Sequence, residues 1–232
     1  MIKGIDISHW NGDIDFNKVK ASGIEFVIIK AGGSDRGFYT DPKFKDNYNK
    51  AKAAGLFVGA YYFVGKKFYG DLAGIADGKR FADILKGMQF EYPVYLDVET
   101  TDSRYKELAT DAAIAFCKTL ENAGYYVGIY ASDISGFKEK LNHNRLKAYA
   151  HWVARYGKDP EICKDGVIHQ YSSKGAVDGI IGSVDLDKSS CDYSKYIIAG
   201  GYNGFTKKET STGKLLLKSQ ETKKKKTKTE VK

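Results

Sequence analysis

The chain contains few of the residues that could cross-link a fold through disulfide bonds or metal ions. Its 232 residues include three cysteines, three prolines and four histidines. Cys117, Cys163 and Cys191 are odd in number and widely spaced, which argues against a disulfide framework and matches no zinc-ligand pattern. The histidines show no pair at the helical spacing typical of metal ligands. We therefore expect no metal site and no cofactor.

A transmembrane helix and a signal peptide are also absent from the sequence pattern. A membrane-spanning helix needs a run of about 18 or more apolar residues, and the chain has none. The first residues, MIKGIDISHWNGD, become polar and acidic within six positions and contain no apolar signal-peptide core. These features predict a protein made in the cytoplasm without a signal peptide.

The formal net charge of +8 is distributed unevenly along the chain. Residues 205–232 contain ten lysines and three glutamates, whereas residues 1–204 contain 27 basic and 26 acidic side chains. We expect a single domain over residues 1–200 and a disordered, Lys-rich tail or linker over residues 201–232. The tail could bind an anionic wall polymer, although a merely solvated tail is the simpler interpretation, and no specific nucleic-acid partner is predicted.

Strand-like and helix-like segments alternate through the predicted domain. Such alternation predicts a mostly parallel sheet with crossover helices, and eight strand patterns favour a closed, irregular α/β barrel of the TIM type. No Gly-x-Gly-x-x-Gly or phosphate-loop pattern follows the first strand, which argues against nucleotide binding. The predicted strands are 2–8, 25–31, 56–64, 93–99, 125–131, 148–154, 167–172 and 183–187, and the predicted helices are 16–21, 41–54, 71–86 and 110–123.

The most informative stretch is YPVYLDVET at residues 92–100. Its apolar and aromatic residues predict a buried strand, along which alternate side chains point to the same face. We therefore expect Asp97 and Glu99 side by side at the end of that strand. Burying two carboxylates together is costly unless they are hydrogen-bonded or one is protonated. Acid–base chemistry on a glycosidic bond would explain that cost, and a loop cap or pairing with lysines is the plainer alternative.

Other predicted strands also end in acidic, amide or aromatic side chains. In parallel α/β barrels the functional residues gather at the carboxyl ends of the strands, so these side chains should converge on one end of the barrel, the mouth. Aromatic faces stack on sugar rings, and carboxylates and amides bond sugar hydroxyls, which indicates a carbohydrate site. The acids are Asp6, Asp97, Glu99, Asp185 and Asp187, and the other candidates are Tyr61, Tyr62, Tyr130, Trp152, Gln170 and Tyr171.

Five stretches, spread in order over about residues 1–195, have a pattern in common with one known family. They resemble the signature sequences of glycoside hydrolase family 25, the Chalaropsis-type muramidases (lysozymes) of bacteria and phages. The Asp-x-Ser-x-Trp-x-Gly opening and the Asp-x-Glu strand are the most specific parts. The stretches are GIDISHWNGDIDF at 4–16, GAYYF at 59–63, YLDVE at 95–99, HQYSS at 169–173 and VDLD at 184–187.

The resemblance implies an irregular α/β barrel that cleaves the β-1,4 bond between N-acetylmuramic acid and N-acetylglucosamine in peptidoglycan. By the same resemblance, Glu99 would be the general acid. Asp97 would stay ionised and assist through the substrate acetamido group or act directly on the sugar. Asp6 and Asp185 would line the same mouth.

The resemblance also suggests sugar contacts, partners and a place of action. Asp187, where the family more often has Asn, would support the residues that contact sugar. The implied protein is a monomeric endolysin or autolysin that reaches peptidoglycan at the cell wall after holin-type or lytic release. The expected sugar contacts are Tyr62, Tyr130, Trp152 and Gln170.

Two features of the sequence depart from the family pattern, and two other functions stay open. Lys30–Ser34 reads KAGGS where the family commonly has Lys-Ala-Thr-Glu-Gly, so the contacts of that Thr and Glu must be absent or replaced, for example by Asp35. Tyr62 stands where His is frequent.

The alternatives are a chitinase-like glycosidase and a non-catalytic wall- or sugar-binding barrel. Tyr92 and Tyr95 occupy positions where chitinases often carry further acids, which argues against the first.

Overall fold

The computed structural model describes residues 1–164 and 167–207. Within these ranges strands and helices alternate, and no helix is both long and apolar enough to cross a membrane. The strands are β1 (Ile2–Ile7), β2 (Phe26–Gly33), β3 (Tyr39–Thr40), β4 (Phe57–Phe63), β5 (Val94–Asp97), β6 (Val127–Ser132), β7 (Ala150–Ala154), β8 (Ile168–Gly175) and β9 (Val184–Ser189). The α-helices are α1 (Phe16–Ala21), α2 (Phe44–Ala53), α3 (Gly70–Leu85), α4 (Lys106–Asn122) and α5 (Tyr193–Gly200).

Eight of these strands close into a barrel, which confirms the predicted irregular α/β barrel. The ring runs in parallel from β1 through β2, β4, β5, β6 and β7 to β8. β9 closes it by pairing antiparallel with both β8 and β1, and the short β3 folds back on the end of β2. The expectation that Asp185 and Asp187 lie at a carboxyl strand end is therefore wrong. β9 runs against its neighbours, so its amino-terminal end lies at the mouth.

Both faces of the barrel strands are buried, because helices cover the outside and side chains fill the inside. In β5, Val94 and Leu96 pack in the outer layer, whereas Tyr95 points into the barrel. The inner layer is largely aromatic. Its members on the barrel strands are Phe26, Ile28, Tyr61, Tyr95, Tyr130, Trp152 and Ile168.

Two helices, α2 and α4, begin at other residues than predicted, and neither has a side-chain hydrogen bond at its N-cap. α2 begins three residues later than predicted, because the Asp41 carboxylate accepts from the Lys43 amide and contacts His9 Nδ1 at 2.7 Å. α4 begins four residues earlier than predicted, after a short 3-10 turn in which Asp102 accepts from the Arg104 amide. In both places an aspartate accepts from a backbone amide in the turn just before the helix.

The carboxyl-terminal part of the described chain closes the end of the barrel opposite the mouth. α5 was not predicted, and its Tyr193 and Ile197 pack in the inner aromatic cluster. Asn203 is fully buried, donates to the carbonyls of Phe90 and Tyr92, and accepts from the Tyr126 amide. The start of the segment predicted as a tail thus packs on the barrel. The Lys-rich stretch over residues 208–232 lies outside the described residues, so its predicted role stays a prediction.

Candidate active site

The acid pair lies at the carboxyl end of β5. The strand stops at Asp97, two residues before Glu99, and the two carboxyl groups lie close enough to affect each other's pKa. Asp97 is 3% exposed, whereas Glu99 is open to the mouth. The pair therefore has one buried member and one member that a ligand can reach.

The surroundings of the pair shift both of its pKa values. Burial raises the pKa of Asp97 well above its usual range, and the neighbouring Glu99 carboxyl raises it further. Removal from bulk water also raises the pKa of Glu99, against the opposing hydrogen bond of Asp97 and charge of Lys30. The two carboxyls therefore titrate as a pair rather than as independent groups. The expectation that Asp97 stays ionised in the reaction remains a prediction.

A second carboxyl pair, Asp6 on β1 and Asp187 on β9, lies deeper in the barrel. Asp6 is 7% exposed and Asp187 is 1% exposed. Gln170 Nε2 donates to Asp6 Oδ2 at 2.7 Å, and Trp152 Nε1 donates to Asp187 Oδ1 at 2.8 Å. Burial raises the pKa of both carboxyls, to about 7 for Asp187, and the Asp187 charge adds to the rise at Asp6. Neutral donors from the barrel thus fix this pair on both sides.

Asp185 stands between the two pairs. It lies opposite Asp6 in the ladder between β1 and β9 and is half-buried. Burial raises the pKa of Asp185, and the negative charge of Glu99 adds to that rise. The charge of Asp185 in turn contributes to the raised pKa of Asp6, after burial and Asp187. The four predicted catalytic acids, Asp6, Asp97, Glu99 and Asp185, therefore converge on one mouth.

An aromatic floor supports these acids. The ring of Trp152 lies 5.7 Å from that of Tyr61, 5.4 Å from that of Tyr95 and 4.3 Å from that of Tyr130, between centroids. Tyr61 is 9% exposed and Tyr130 is 7% exposed, so only their edges reach the mouth. Close-packed rings exclude water, which is the physical reason that burial dominates the pKa shifts above the floor.

Comparison with known proteins places this barrel in a family. Residues 5–180, more than half of the chain, match the family model described as glycosyl hydrolases family 25. The chain belongs to glycosyl hydrolase family 25. This membership is consistent with the resemblance found in the sequence and with the acid-lined mouth.

Individual relatives of this family 25 chain are lysozymes, endolysins and autolysins. The autolytic lysozyme of Clostridium acetobutylicum is 35% identical over 201 residues, which cover 86% of this chain and 58% of the relative. The CTP1L endolysin structure is 29% identical with a TM-score of 0.74, over 87% of this chain and 70% of that one. The modular autolysin LytC of Streptococcus pneumoniae, solved with a synthetic peptidoglycan ligand, is 25% identical with a TM-score of 0.71, over 80% of this chain and 46% of that one. The chain thus spans less than two thirds of the autolytic lysozyme and of LytC.

In this family 25 barrel, Tyr62 does not contact the mouth. Its ring is fully buried on the outer face of β4 and packs against Phe81, and its hydroxyl donates to Asp77 Oδ1 at 3.2 Å. Side chains alternate between the two faces of a strand, so the preceding residue, Tyr61, points into the barrel. The prediction that Tyr62 binds sugar is wrong.

Two other predicted sugar contacts also lie away from the ligand side. Tyr171 is on the outer face of β8, with its ring 6.3 Å from that of His169 and 5.8 Å from Lys188 Nζ, because its neighbour Gln170 points inward. Trp152 is 1% exposed and so cannot offer a face to a sugar. The prediction for Tyr171 is wrong, and Trp152 supports the mouth from below.

Tyr156 belongs to the mouth although the sequence analysis did not select it. Its hydroxyl donates to Gln170 Oε1 at 2.9 Å, and the hydroxyl of Tyr130 donates to the same oxygen at 2.9 Å. The residue is 52% exposed, so its ring stands above the floor. Its position two residues after β7 was the signal that could have identified it.

Lys30 is the second residue of the mouth that the sequence analysis did not assign to it. Its charge lowers the pKa values of Asp97 and Glu99 against the effect of burial. The ammonium group lies 4.5 Å from the centroid of the Phe63 ring, within the range of a cation–π contact. Alternate residues of a strand face the same side, and Phe26 and Ile28 of β2 point into the barrel, so Lys30 is expected to point inward as well.

The KAGGS departure has a local structural consequence. A Cβ added at Gly32 would lie 2.2 Å from the Tyr39 carbonyl oxygen, and one at Gly33 would lie 2.5 Å from the Phe63 carbonyl oxygen. These glycines therefore let β3 fold closely over the end of β2. The turn between them carries Asp35, whose charge adds to the raised pKa of Asp97 after burial and Glu99.

Proposed function

We propose that this chain is a peptidoglycan hydrolase of the muramidase type, which cleaves the β-1,4 bond between N-acetylmuramic acid and N-acetylglucosamine. The observation that carries the proposal is the Asp97–Glu99 pair, in which a buried carboxyl with a raised pKa lies beside a carboxyl that is exposed to an open mouth. Family membership and relatives named lysozyme, endolysin and autolysin support it. Hydrolysis of a glycosidic bond by two carboxyl groups needs such a pair.

Glu99 acts as the general acid in this proposal. A general acid must reach the leaving oxygen and must hold a proton at the working pH. Glu99 is the exposed member of the pair, and its pKa is raised by removal from water. It would donate its proton to the glycosidic oxygen as the bond to the anomeric carbon breaks, and recover a proton from the water that completes hydrolysis.

Asp97 supplies that proton and then acts as a carboxylate. In this proposal the proton lies on Asp97 in the ligand-free mouth, because burial raises the pKa of that carboxyl well above its usual range. An acetamido N–H of the substrate that donates to Asp97 would favour the ionised form of this group. The proton would then pass to the neighbouring Glu99 carboxyl. Substrate binding would thereby protonate the general acid Glu99 and leave the Asp97 carboxylate as an anion beside the reacting sugar.

The remaining polar groups of the mouth orient the glycan. Asp185 is half-buried and can accept from a sugar hydroxyl or a water molecule. Tyr61, Tyr130 and Tyr156 offer ring edges and a face to the sugar rings, with Gln170 fixing the two tyrosine hydroxyls. Asp6 positions Gln170 through the hydrogen bond at 2.7 Å.

The proposed place of action is the bacterial cell wall, as the names of the endolysin and autolysin relatives suggest. The partner is the glycan strand of peptidoglycan. The described chain ends at the side of the barrel opposite the mouth, where Asn203 is buried. A Lys-rich tail that binds an anionic wall polymer is a further proposal.

The test is digestion of purified Gram-positive peptidoglycan by the wild type and by Glu99→Gln, with new reducing ends identified and counted. We expect reducing N-acetylmuramic acid ends from the wild type and a loss of at least about 100-fold in the variant. Glu121→Gln, an exposed change on α4, is the matched control and should retain full activity.

Two results would contradict the proposal. Binding to peptidoglycan without new reducing ends from the wild type would indicate a non-catalytic wall-binding barrel. Reducing N-acetylglucosamine ends, together with hydrolysis of chitin oligomers, would indicate a chitinase-like glycosidase instead.

A further inference from the structure

Three side chains that commonly bind transition metals converge outside the mouth. His143 lies in a 3-10 turn (His143–Arg145) before β7, His151 lies on β7, and Cys163 lies between β7 and β8. One nitrogen from each histidine and the Cys163 Sγ all lie within 4.8 Å of one another. The two imidazole centroids are 5.1 Å apart. The three residues, the HHC cluster, come from separate segments, so sequence spacing gave no sign of them.

The HHC cluster contains a buried polar atom without a partner. His151 is 9% exposed and Cys163 is 4% exposed. Among the described residues, His151 Nε2 is buried and has no hydrogen-bond partner. Such an atom costs free energy unless something binds it. The ring of Phe137 packs edge-on at 5.1 Å and holds the His151 imidazole in place.

We propose that the HHC cluster binds a divalent transition metal ion, with Zn²⁺ as the best match. Two imidazole nitrogens and one thiolate form a donor set that zinc prefers, whereas Mg²⁺ and Ca²⁺ prefer oxygen. Tetrahedral zinc, with bonds of about 2.0–2.3 Å, holds its ligand atoms roughly 3.3–3.6 Å apart. Atoms now up to 4.8 Å apart must therefore close by about 1 Å. Rotation of the partly exposed His143 side chain can supply that movement.

The carboxylate of Asp133 is not available as the fourth metal ligand. Asp133 is already bound by Arg155 Nη1 at 2.6 Å and by the amides of Glu161 and Ile162. His143 instead opens onto a surface pocket that Glu161, Lys138 and Lys147 also line. A water molecule or a small anion would complete the coordination there, close to the lysine ammonium groups.

A metal ion at this position would fix the segment that connects β7 to the mouth. It would tie Cys163, after β7, to His143, before β7. Tyr156, which bonds Gln170 in the mouth, lies in the same segment as Cys163. We therefore expect the ion to stabilise the folded barrel and to order this segment.

The test is metal binding by the full chain after treatment with a chelator and buffer exchange. Calorimetric titration with zinc should show about one equivalent bound, and cobalt(II) should give thiolate-to-metal charge-transfer absorption. Cys163→Ser should abolish that absorption and weaken zinc binding at least about 100-fold. Cys191→Ser, which changes a cysteine outside the HHC cluster, should leave both signals unchanged.

A second variant keeps the test independent of folding. His143 is partly exposed, so His143→Gln should fold, as a thermal melt without metal would check. It should weaken zinc binding at least about 10-fold and reduce the zinc-induced rise in melting temperature. The proposal is wrong if the wild type binds no zinc at 100-fold molar excess, or if Cys163→Ser binds zinc as the wild type does.

Discussion

Two carboxyl pairs occupy the same mouth and differ in their neighbours. Asp97 is buried beside Glu99, which is exposed to solvent and lies near the charge of Lys30. Asp6 and Asp187 are both buried, and neutral donors from Gln170 and Trp152 hold them. Burial raises the pKa in each pair.

The difference lies in where a proton can go. In the first pair the proton can pass to an accessible carboxyl and from there to a ligand. In the second pair both carboxyls are almost fully buried and held by neutral donors, so a proton bound there would allow the two buried acids to lie side by side. Under the proposed function, the first pair would serve catalysis and the second would serve architecture, so the same Asp-to-Asn change should have different effects at Asp97 and Asp187.

The largest effect is expected for Asp97→Asn. The substitution keeps the shape but removes the stored proton and the carboxylate that would face the substrate acetamido group. We expect the rate of peptidoglycan hydrolysis to fall by about 10²–10³-fold with an unchanged melting temperature. Asp83→Asn, an exposed change on α3, serves as the control. Activity within 10-fold of the wild type would show that Glu99 works without this partner.

Asp187→Asn should instead change the pH dependence of stability. The pKa of Asp187 is about 7 in the folded state and about 4 in an unfolded chain. The folded state therefore binds this proton more tightly, so stability declines as pH rises from about 4 to about 7. An amide cannot titrate, and it can still accept from Trp152 and donate to Asp6.

The measurement is urea unfolding of Asp187→Asn and the wild type at pH 5 and pH 8. We expect the wild type to lose roughly 1–4 kcal/mol more than the variant between these values. Hydrolysis should suffer far less than in Asp97→Asn. Parallel losses of stability in both proteins would mean that Asp187 does not carry the proton.

Lys30→Met probes the electrostatic side of the first pair. Lys30 lowers the pKa values of Asp97 and Glu99, so its removal should raise both. A general acid loses activity as pH rises through its pKa. The basic limb of the pH–rate profile should therefore move upward, by up to about one pH unit. Lys45→Met on α2 should leave the profile in place, and a downward shift in Lys30→Met would contradict the assignment.

The smallest effect is expected for Tyr156→Phe. The change removes one of the two hydroxyls that donate to Gln170 Oε1, and Tyr130 still supplies the other. One such hydrogen bond contributes about 0.5–1.5 kcal/mol, which corresponds to roughly 2–10-fold in kcat/KM. Tyr196→Phe, an exposed change on α5, should have no effect. A loss above 100-fold would give Tyr156 a direct role in the reaction.

Local sequence patterns predicted much of the fold and part of the site. α1 has the bounds that its cap and apolar residues indicate, and the eight barrel strands lie where the strand patterns do. The pattern around Asp97 also predicted that Glu99 would be its neighbour. Tyr62 and Tyr171 were predicted at the mouth because they lie near strand ends, without regard to the face of the strand on which each side chain lies. Applying the period of two would have kept Tyr61 and Gln170 and rejected both.

What the sequence by itself determined is the set of residues that face inward, because alternation along a strand is a local property of the backbone. It also determined the acid pair and the resemblance that its motif carries. Only the tertiary structure decided the direction of β9, the meeting of His143, His151 and Cys163, and which carboxyls are buried. Strand direction and convergence depend on contacts between distant segments, and burial depends on the packing of the whole barrel. Neither contacts nor burial can be read from adjacent residues.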